Sequence, residues 1–325
     1  MAMEIPTKKR LQLLSGSHNG KLAQAVAEHL NVPLSPLRLD RFANGEISAQ
    51  LGESARGADV FVFSTHDEPV NDAIMEQLII IDAAKRASAK RITAVCPYFG
   101  YSRQDRKAAG REPISAKLVV DMLAAAGADR IVSVDLHSGQ IQGFFDGPFD
   151  HLTAMPVLSD YIKASLGDDF VIVSPDAGRV KTSERYVRRL GVDLAIVHKT
   201  RSKTQKNTVE AKNVIGDVDG RRCVLIDDMI DTAGTICAAS TLLKESGASE
   251  IYVMATHGIL SGPALERLEA APIDRIIVTD TLPLPAQPRS KKLDVVSIAP
   301  LMAEAIRAIY LDESVSKIFG GENHI

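Results

Sequence analysis

The sequence predicts an α/β protein whose helices cover mainly parallel sheets. Short β-branched runs alternate with amphipathic stretches along the 325 residues. Several of the runs are apolar at every position, as in strands that are buried on both faces. The chain is long enough for two domains of ordinary size, each with its own core. Its hydrophobic fraction of 45% and charged fraction of 24% are typical of a globular protein.

The order of the predicted elements follows from β-branched runs bounded by turn residues and from helical periodicity. The candidate strands are Leu11–Ser15, Val60–Ser64, Ile92–Pro97, Ile131–Asp135, Phe170–Ser174, Ala195–His198, Cys223–Ile226, Ile251–Thr256 and Arg275–Thr279. The candidate helices between them are Lys21–Leu30, Asp72–Ala87, Ser115–Ala126, Arg179–Leu190 and Thr235–Ser246.

An internal similarity indicates a duplicated domain. A shift of about 120 positions places Leu123–His137 on Leu243–His257, with Leu, Gly, Ala, Ile and His coinciding. Chance recurrence of helix, glycine and strand stays open as the other interpretation. The same shift places Lys107 and Ala108 opposite Asp227 and Asp228. If the halves are duplicates, we expect only the second half to hold the ligand of that acidic segment.

Composition narrows the class of partner and the compartment. A formal net charge of −3 provides no overall attraction for nucleic acid or an anionic membrane. The cysteines Cys96, Cys223 and Cys237 show no CxxC spacing, which argues against a disulfide framework or a structural zinc site. The N-terminal stretch has no apolar core of signal-peptide length, and no apolar run approaches the length of a membrane span. We therefore expect a cytoplasmic protein.

The segment VLIDDMIDTAGT, Val224 to Thr235, predicts a sugar phosphate site. At a strand-to-helix junction, the backbone N–H groups of Asp231 to Thr235 suit a phosphate monoester, and Gly234 allows close approach. The carboxylates of Asp227 and Asp228 repel phosphate but accept hydrogen bonds from sugar hydroxyls, or hold a metal. A helix cap with solvated acids is the simpler alternative.

This segment resembles the phosphoribosyl-diphosphate loop of type I phosphoribosyltransferases and of ribose-phosphate pyrophosphokinases. Further motifs resemble the pyrophosphokinases in order and spacing over nearly the whole chain. These motifs are RFANGE (Arg41–Glu46), PYFGYSRQDRK (Pro97–Lys107), REPISAK (Arg111–Lys117), VDLHSGQIQGFFD (Val134–Asp146), VSPDAG (Val173–Gly178) and MAEAIR (Met302–Arg307). The chain is thereby identified as a member of the ribose-phosphate pyrophosphokinase family.

The resemblance implies two tandem phosphoribosyltransferase type I-like domains, each with a mainly parallel sheet flanked by helices. We expect an N-terminal domain over residues 1–148, a C-terminal domain over 149–312 and a tail over 313–325. The implied reaction moves the diphosphoryl group of Mg-ATP to the C1 hydroxyl of ribose 5-phosphate. It yields 5-phosphoribosyl 1-diphosphate (PRPP) and AMP for nucleotide biosynthesis. The family also implies a homo-oligomer, commonly a hexamer.

The resemblance assigns roles to individual residues in the two domains. Lys199 and Arg201 match the family's catalytic Lys-x-Arg, and His137 and Asp176 match its Mg²⁺ ligands, although histidine is an unusual ligand for this ion. ATP is expected at Asn44, Gly45, Glu46, Arg103 and Gln104. Ribose 5-phosphate is expected at Arg201, Asp227, Asp231, Thr232, Ala233, Gly234 and Thr235.

The basic stretch from His198 to Asn213 has two interpretations. Taken alone it is a mobile, solvated loop, because it is rich in Lys and Arg and nearly lacks apolar residues. In the family such a loop closes over the site and brings positive charge to the nonbridging oxygens during diphosphoryl transfer. RQDRK, taken alone, is likewise an exposed charged loop.

One departure from the family pattern bears on function. Arg179 stands where the family usually has a second Gly after SPDxG. Two other functions stay open. A phosphoribosyltransferase uses the same loop to consume PRPP, and a non-catalytic homologue binds only nucleotides or partner subunits. The first leaves RFANGE and RQDRK unexplained, and Arg179 is the single feature that favours the second.

Overall fold

The structure is a computed structural model that describes residues 9–201, 209–284 and 290–319, with the backbone alone for 199–201 and 209–212. The chain forms two compact units, one from residues up to 153 together with those from 299 onward, the other from residues 154–298. The observed α/β architecture confirms the predicted fold class. The described helices and strands are β1 Leu11–Ser15, α1 Gly20–Leu30, β2 Leu37–Arg41, β3 Ile47–Leu51, β4 Asp59–Phe63, α2 Val70–Arg86, β5 Arg91–Cys96, α3 Ser115–Ala126, β6 Arg130–Val134, β7 Phe149–Leu152, α4 Met155–Leu166, β8 Val171–Ser174, α5 Val180–Leu190, β9 Asp193–Arg201, β10 Val209–Ile215, β11 Arg222–Ile230, α6 Gly234–Glu245, β12 Glu250–Gly258, α7 Ala264–Ala270, β13 Arg275–Thr279, β14 Leu293–Val296 and α8 Ala299–Tyr310.

The first unit is built on a parallel five-stranded sheet in the order β1-β4-β5-β6-β7. Strand β4 is buried at all its positions, which explains its nearly unbroken apolar sequence. A separate antiparallel hairpin, β2-β3, pairs Leu37 with Leu51 and Arg41 with Ile47. The C-terminal helix α8 packs against α1 in this unit. The sheet and its helices therefore enclose one core, and the hairpin projects its turn from it.

The second unit has a seven-stranded sheet in the order β10-β9-β8-β11-β12-β13-β14. Every pairing is parallel except that of β10 with β9. From β8 the chain continues to β9 on one side, and β11 then pairs on the other side of β8. This reversal of direction is the topological switch point at which open α/β sheets bind ligands, beyond the carboxyl ends of the strands.

The helices end where backbone geometry and sequence agree. Helix α5 stops at Gly191, whose left-handed conformation has φ 71° and whose N–H donates to the carbonyl of Val187. The longest described helix, α2, has 17 residues and ends with Lys85 and Arg86, which complement the negative end of its dipole.

Within the described parts of the chain, no helix combines the length and apolarity that crossing a bilayer requires.

The structure confirms the nine predicted strands and five predicted helices to within a few residues and adds elements that the patterns did not predict. The basic stretch, predicted as a loop from His198 to Asn213, is partly strand: β9 runs to Arg201 and β10 begins at Val209. Residues 202–208 lie outside the described residues. Strand β11 is longer than predicted, because it continues through Asp227 and Asp228 to Ile230. The unpredicted elements are β2, β3, β7, β10, β14, α4, α7 and α8.

The compact units group the chain differently from the predicted sequence domains. Strand β7 completes the first sheet, although residues 149–152 were assigned to the second domain. Helix α8 also belongs with the first unit. The predicted domains over residues 1–148 and 149–312 stay a prediction.

The two units repeat the same strand order, but the register of the predicted repeat is wrong by one β/α unit. In the first unit β4 lies next to β1, the first strand of that unit, and in the second unit β11 lies next to β8, the first strand there. Strand β4 therefore corresponds to β11. Helix α3 and strand β6 therefore correspond to α7 and β13, not to α6 and β12. The generic helix–glycine–strand pattern produced the false match. The counterpart of the acidic segment is the end of β4 and the residue after it, where Phe63 and Ser64 are completely buried.

A pair of equivalent hydrogen bonds supports this register. The Asp129 side chain accepts a bond of 2.8 Å from the N–H of Ile92, and Asp274 accepts one of 2.8 Å from the N–H of Ile251. Each aspartate comes directly before an arginine that pairs with an aspartate on the next strand, Arg130 with Asp150 and Arg275 with Asp294.

These carboxylates have a testable effect on stability. Replacing either Asp129 or Asp274 with Ala removes the acceptor of a buried N–H, which costs about 1–3 kcal/mol. We expect the midpoint of thermal unfolding to fall by about 2–4 °C for each kcal/mol lost. Differential scanning calorimetry measures this shift.

The matched control is Asp121→Ala, because Asp121 pairs with Lys117 on an exposed helix face. Surface pairs contribute about 0–1 kcal/mol, so this variant should unfold near the wild-type temperature. Equal midpoints for Asp129→Ala and Asp121→Ala would show that the buried contact contributes nothing.

Candidate functional site

The loop between β11 and α6 has the geometry of an anion site. Its carbonyl groups turn toward the protein: that of Ile230 accepts from the N–H of Leu260, and that of Asp231 from Ser261. The carbonyl of Thr232 accepts from the Arg267 guanidinium at 3.0 Å. Because the carbonyls bond inward, and because the first N–H groups of a helix have no partner within it, the amides at the start of α6 present a positive end to solvent.

The conformation of this loop depends on Ala233. Ala233 has a left-handed backbone with φ 61°, is buried and immediately precedes α6. Gly234 has no positive φ, and a Cβ built on it would meet only the Arg267 side chain, at 3.9 Å. Thr232, Gly234 and Thr235 are exposed. Gly234 is therefore not needed for the turn itself, but its missing side chain leaves the start of α6 open.

Asp227 and Asp228 lie directly before this loop and are largely buried, with side chains 15% and 8% exposed. The N–H of Asp228 donates to the Asp227 carboxylate at 2.9 Å. Burial, followed by the neighbouring Asp228, raises the pKa of Asp227 to about 8, and Arg179 opposes this rise. The pair therefore needs positive charge or hydrogen-bond donors to remain ionised.

Arg179 supplies that charge. Its Nε lies 3.1 Å from Oδ1 of Asp227, and its terminal nitrogen lies 2.6 Å from Oδ1 of Asp228. The sequence showed Arg179 only as a departure from the family pattern. The contact depends on β8 and β11 being neighbours in the sheet, and no local pattern predicts this.

The segment after β8 lies at the same edge of the sheet as the acidic pair. The Asp176 side chain accepts from the N–H of Gly178 at 2.9 Å and caps a single 3-10 turn, Ala177–Arg179. Asp176 is half-buried, and its backbone carbonyl accepts from the Ser174 hydroxyl. A carboxylate held in this way is a hard oxygen ligand that suits Mg²⁺.

The backbone of Lys199 and Arg201 lies at the C-terminal end of β9. Strand β9 pairs with β8 up to Ile196 opposite Ser174. It then continues beside β10, where Lys199 is opposite Ala211 and Arg201 is opposite Val209. Their side chains lie outside the described residues. Both residues therefore lie beyond the carboxyl end of β8, which is also the end that Asp176 follows.

In the first unit, Arg103 and Gln104 line a cleft of about 460 Å³ at the start of α2. The Ser115 hydroxyl donates to the Gln104 side chain at 2.6 Å, and the N–H of Gln104 donates to the Tyr101 carbonyl. The phenol of Tyr101 donates to Asn71 at 2.6 Å across the cleft. The cleft therefore has an aromatic wall, amide groups and one guanidinium, a combination that suits a nucleotide.

The other three predicted ATP residues form the turn of the β2-β3 hairpin. Asn44, Gly45 and Glu46 are exposed, and Gly45 has φ 91°, which a glycine adopts without strain. Arg41 at the end of β2 contacts the cleft-lining Asp72 at 3.0 Å. The first unit thus links the strand that leads into the turn with the cleft that holds Arg103 and Gln104.

A buried histidine beneath the cleft was missed by the sequence analysis. Nδ1 of His66 accepts from the N–H of Gly100, and Nε2 lies 2.9 Å from the Gln77 side chain. Burial lowers the pKa of His66 to about 4, so the ring is neutral at neutral pH. His66 therefore supports the turn below Tyr101 and does not contribute charge to the site.

The two histidines of the internal similarity differ in their surroundings. His257 is buried near the end of β12, and its Nδ1 lies 2.9 Å from the Thr281 hydroxyl. His137 is half-exposed in the segment after β6. It belongs to the first unit and Asp176 to the second. Among the described residues, no three His, Cys, Asp or Glu side chains cluster as a metal site.

A loop with the geometry of an anion site beside largely buried acids, at the switch point of a mainly parallel sheet, is typical of the phosphoribosyltransferase-like class of α/β proteins. Comparison with known proteins specifies the family. A profile described as the N-terminal domain of ribose phosphate pyrophosphokinase matches residues 11–127, and one described as the phosphoribosyl synthetase-associated domain matches residues 205–320.

Full-length relatives agree with these profiles. The chain is 55% identical to a ribose-phosphate pyrophosphokinase of Bifidobacterium longum over 96% of its own length and 93% of the relative's. It is 53% identical to that of Corynebacterium glutamicum, covering 97% of both chains. The crystal structure of phosphoribosylpyrophosphate synthetase from Mycobacterium smegmatis matches with a TM-score of 0.88 and 51% identity over 94% of this chain and 100% of that one. The chain belongs to the ribose-phosphate pyrophosphokinase family.

Proposed function

We propose that this chain is a ribose-phosphate diphosphokinase that makes PRPP and AMP from Mg-ATP and ribose 5-phosphate, with the second unit holding the sugar. Its full-length likeness to pyrophosphokinases favours this function over that of a phosphoribosyltransferase. The observation that carries the assignment of the sugar site is the β11–α6 loop, whose carbonyls bond inward beside two buried carboxylates. A sugar phosphate matches both halves, since phosphate accepts from amides and hydroxyls donate to carboxylates.

The roles within the second unit follow from this match. The amides from Asp231 to Thr235 bind the 5-phosphate, with the hydroxyls of Thr232 and Thr235 as added donors. Asp227 and Asp228 accept hydrogen bonds from the ribose hydroxyls and thereby orient the sugar. The remaining hydroxyl, on C1, is then the nucleophile that attacks the β-phosphorus of ATP in line with the departing AMP.

Lys199 and Arg201 stabilise the charge that develops on the nonbridging phosphate oxygens. Diphosphoryl transfer needs such charge more than it needs a proton-transfer residue. Arg201 offers a planar fork for two oxygens, whereas Lys199 acts as a point charge. Arg201 also contributes to binding ribose 5-phosphate.

ATP binds to the first unit in this proposal. The base and the phosphates contact Asn44, Gly45, Glu46, Arg103 and Gln104. The cleft at Arg103 and Gln104 supports this assignment, since its aromatic and amide groups suit a purine and its guanidinium suits a phosphate oxygen.

Asp176 and His137 would hold Mg²⁺. The half-buried Asp176 carboxylate fits a magnesium ligand, and His137 fits better as a ligand acting through water. When bound, the ion neutralises the triphosphate and polarises the β-phosphorus. We also propose a homo-oligomer, specifically a hexamer, in the cytoplasm. Light scattering on the purified protein measures its mass.

Release of AMP tests the function directly. Purified protein is incubated with ATP, Mg²⁺ and ribose 5-phosphate, and AMP and PRPP are separated by ion-exchange chromatography. We expect both products in equal amounts, and none when ribose 5-phosphate is omitted or Mg²⁺ is chelated. A protein that binds both substrates yet releases no AMP would instead be the non-catalytic homologue. Conversion of a nucleobase by PRPP without ATP would indicate a phosphoribosyltransferase.

A further inference from the structure

The position of Arg179 is determined by two flanking structures. It ends the 3-10 turn capped by Asp176 and directly precedes helix α5, which begins at Val180. From there the side chain reaches the neighbouring strand, and it is only 21% exposed. An arginine held at both ends of its backbone segment and paired at its tip has little freedom, so it presents a fixed guanidinium fork.

Two contacts join Arg179 to the acid pair. Both go to Oδ1 atoms, at 3.1 Å on Asp227 and 2.6 Å on Asp228. Oδ1 of Asp227 also accepts the N–H of Asp228. Each carboxylate is thus oriented through its Oδ1 atom, and this sets the direction in which its Oδ2 atom points.

The geometry points to Arg179 as the positioning residue that holds the carboxyl groups of Asp227 and Asp228 in the orientation in which they accept hydrogen bonds from the ribose hydroxyls. This inference rests on the proposed function, because it concerns the sugar half of the same site. In this role Arg179 need not touch the reacting atoms. It acts through the acid pair, and the sugar hydroxyls bind to carboxylate oxygens that the guanidinium has already oriented.

The charge balance of the site supports this role. Two carboxylates side by side in a largely buried position repel each other, and one tends to take up a proton without a nearby cation. A protonated carboxyl would offer a hydroxyl donor where the ribose hydroxyls need an acceptor. A fixed guanidinium opposes this protonation without occupying the phosphate loop. Most of the contact is electrostatic and hydrogen-bonded, so lysine should replace it in part and glutamine should not.

The test separates sugar binding from catalysis. In Arg179→Gln we expect the KM for ribose 5-phosphate to rise at least about tenfold, since hydrogen bonds to charged groups contribute about 1.5–3 kcal/mol. The KM for ATP should stay within about twofold, and kcat should fall less than the sugar KM rises. Arg179→Lys should recover part of the sugar affinity. Calorimetric titration with ribose 5-phosphate alone should show the same order.

A substrate that lacks one hydroxyl provides a sharper readout. Wild-type protein should prefer ribose 5-phosphate to 2-deoxyribose 5-phosphate, and this preference should shrink several-fold in Arg179→Gln. The matched control is Arg221→Gln. Arg221 is 28% exposed and pairs at 3.1 Å with Asp193, at the start of β9 and so at the opposite edge of the same sheet. This variant should keep both the preference and the KM.

Three results would overturn the inference. They are an unchanged or lower KM for ribose 5-phosphate in Arg179→Gln, equal losses for ATP and the sugar, and an unchanged preference between the two sugars. A lower KM would mean that Arg179 competes with the sugar. Thermal unfolding of each variant checks folding, and Arg179→Lys carries the test if the glutamine variant does not fold. In all three cases the proposed function still holds if the wild-type protein makes AMP. If the wild-type protein releases no AMP, the proposed function itself is wrong.

Discussion

Replacing Lys199 or Arg201 with Ala is expected to lower kcat by about two to four orders of magnitude, the range seen when a group that stabilises transition-state charge is removed. Charge on the nonbridging oxygens is largest in the transition state, so the loss should appear mainly in kcat. The KM values for ATP and ribose 5-phosphate should change much less, with the larger change in the sugar KM of Arg201→Ala. Steady-state AMP formation at varied concentrations of each substrate measures both parameters.

Conservative variants separate charge from geometry. Arg201→Lys keeps the charge but loses the two-oxygen fork, so its kcat should lie between those of wild type and Arg201→Ala. The double variant should lose less than the product of the single losses, because the two residues act on the same charge. Lys163→Ala is the control, since Lys163 forms an exposed pair with Asp168 on the second unit. A kcat near wild type in Lys199→Ala would remove its role in the transition state.

The parts of this protein that were predictable from sequence are those that depend on local patterns. The strands β4, β5 and β13 are short runs that contain β-branched residues, and the fully buried β4 has a nearly continuous apolar sequence. The phosphate loop was also visible, because acids, small residues and threonines at a strand-to-helix junction form a local signal. Family resemblance supplied the roles that no pattern of this kind contains.

The unpredicted parts depend on contacts between distant segments or on half-buried strands. Strands β2 and β3 alternate apolar and polar residues, as LRLDR and ISAQL, but they contain almost no β-branched residues, so a prediction based on β-branched runs missed them. The pairing of Arg179 with the acids joins β8 to β11. The repeat was assigned in the wrong register because Gly127 and Gly247 both end helices with positive φ. This is a feature of helix ends in general, so it does not identify corresponding helices.

Changing Asp227 and Asp228 to neutral residues is the second variant with a large expected effect, and it separates the two substrates. Asparagine keeps the shape and one acceptor oxygen but removes the charge that attracts the hydroxyl protons. In each single Asn variant we expect the dissociation constant for ribose 5-phosphate to rise about ten- to a hundredfold. The double Ala variant should lose more. ATP affinity should change little, because the residues proposed to bind ATP lie in the first unit.

Calorimetric titration of each variant with ribose 5-phosphate and, separately, with Mg-ATP measures the two affinities. The matched control is Asp193→Asn, a carboxylate paired with an arginine at the opposite end of the same sheet. Equal losses for both ligands would mean that the acids are not specific for the sugar.

Combining Asp228→Asn with Arg179→Gln gives the coupling between the two residues. If Arg179 acts through the acid pair, the double variant should bind ribose 5-phosphate about as well as the weaker single variant, because the second change removes a contact that has already lost its effect.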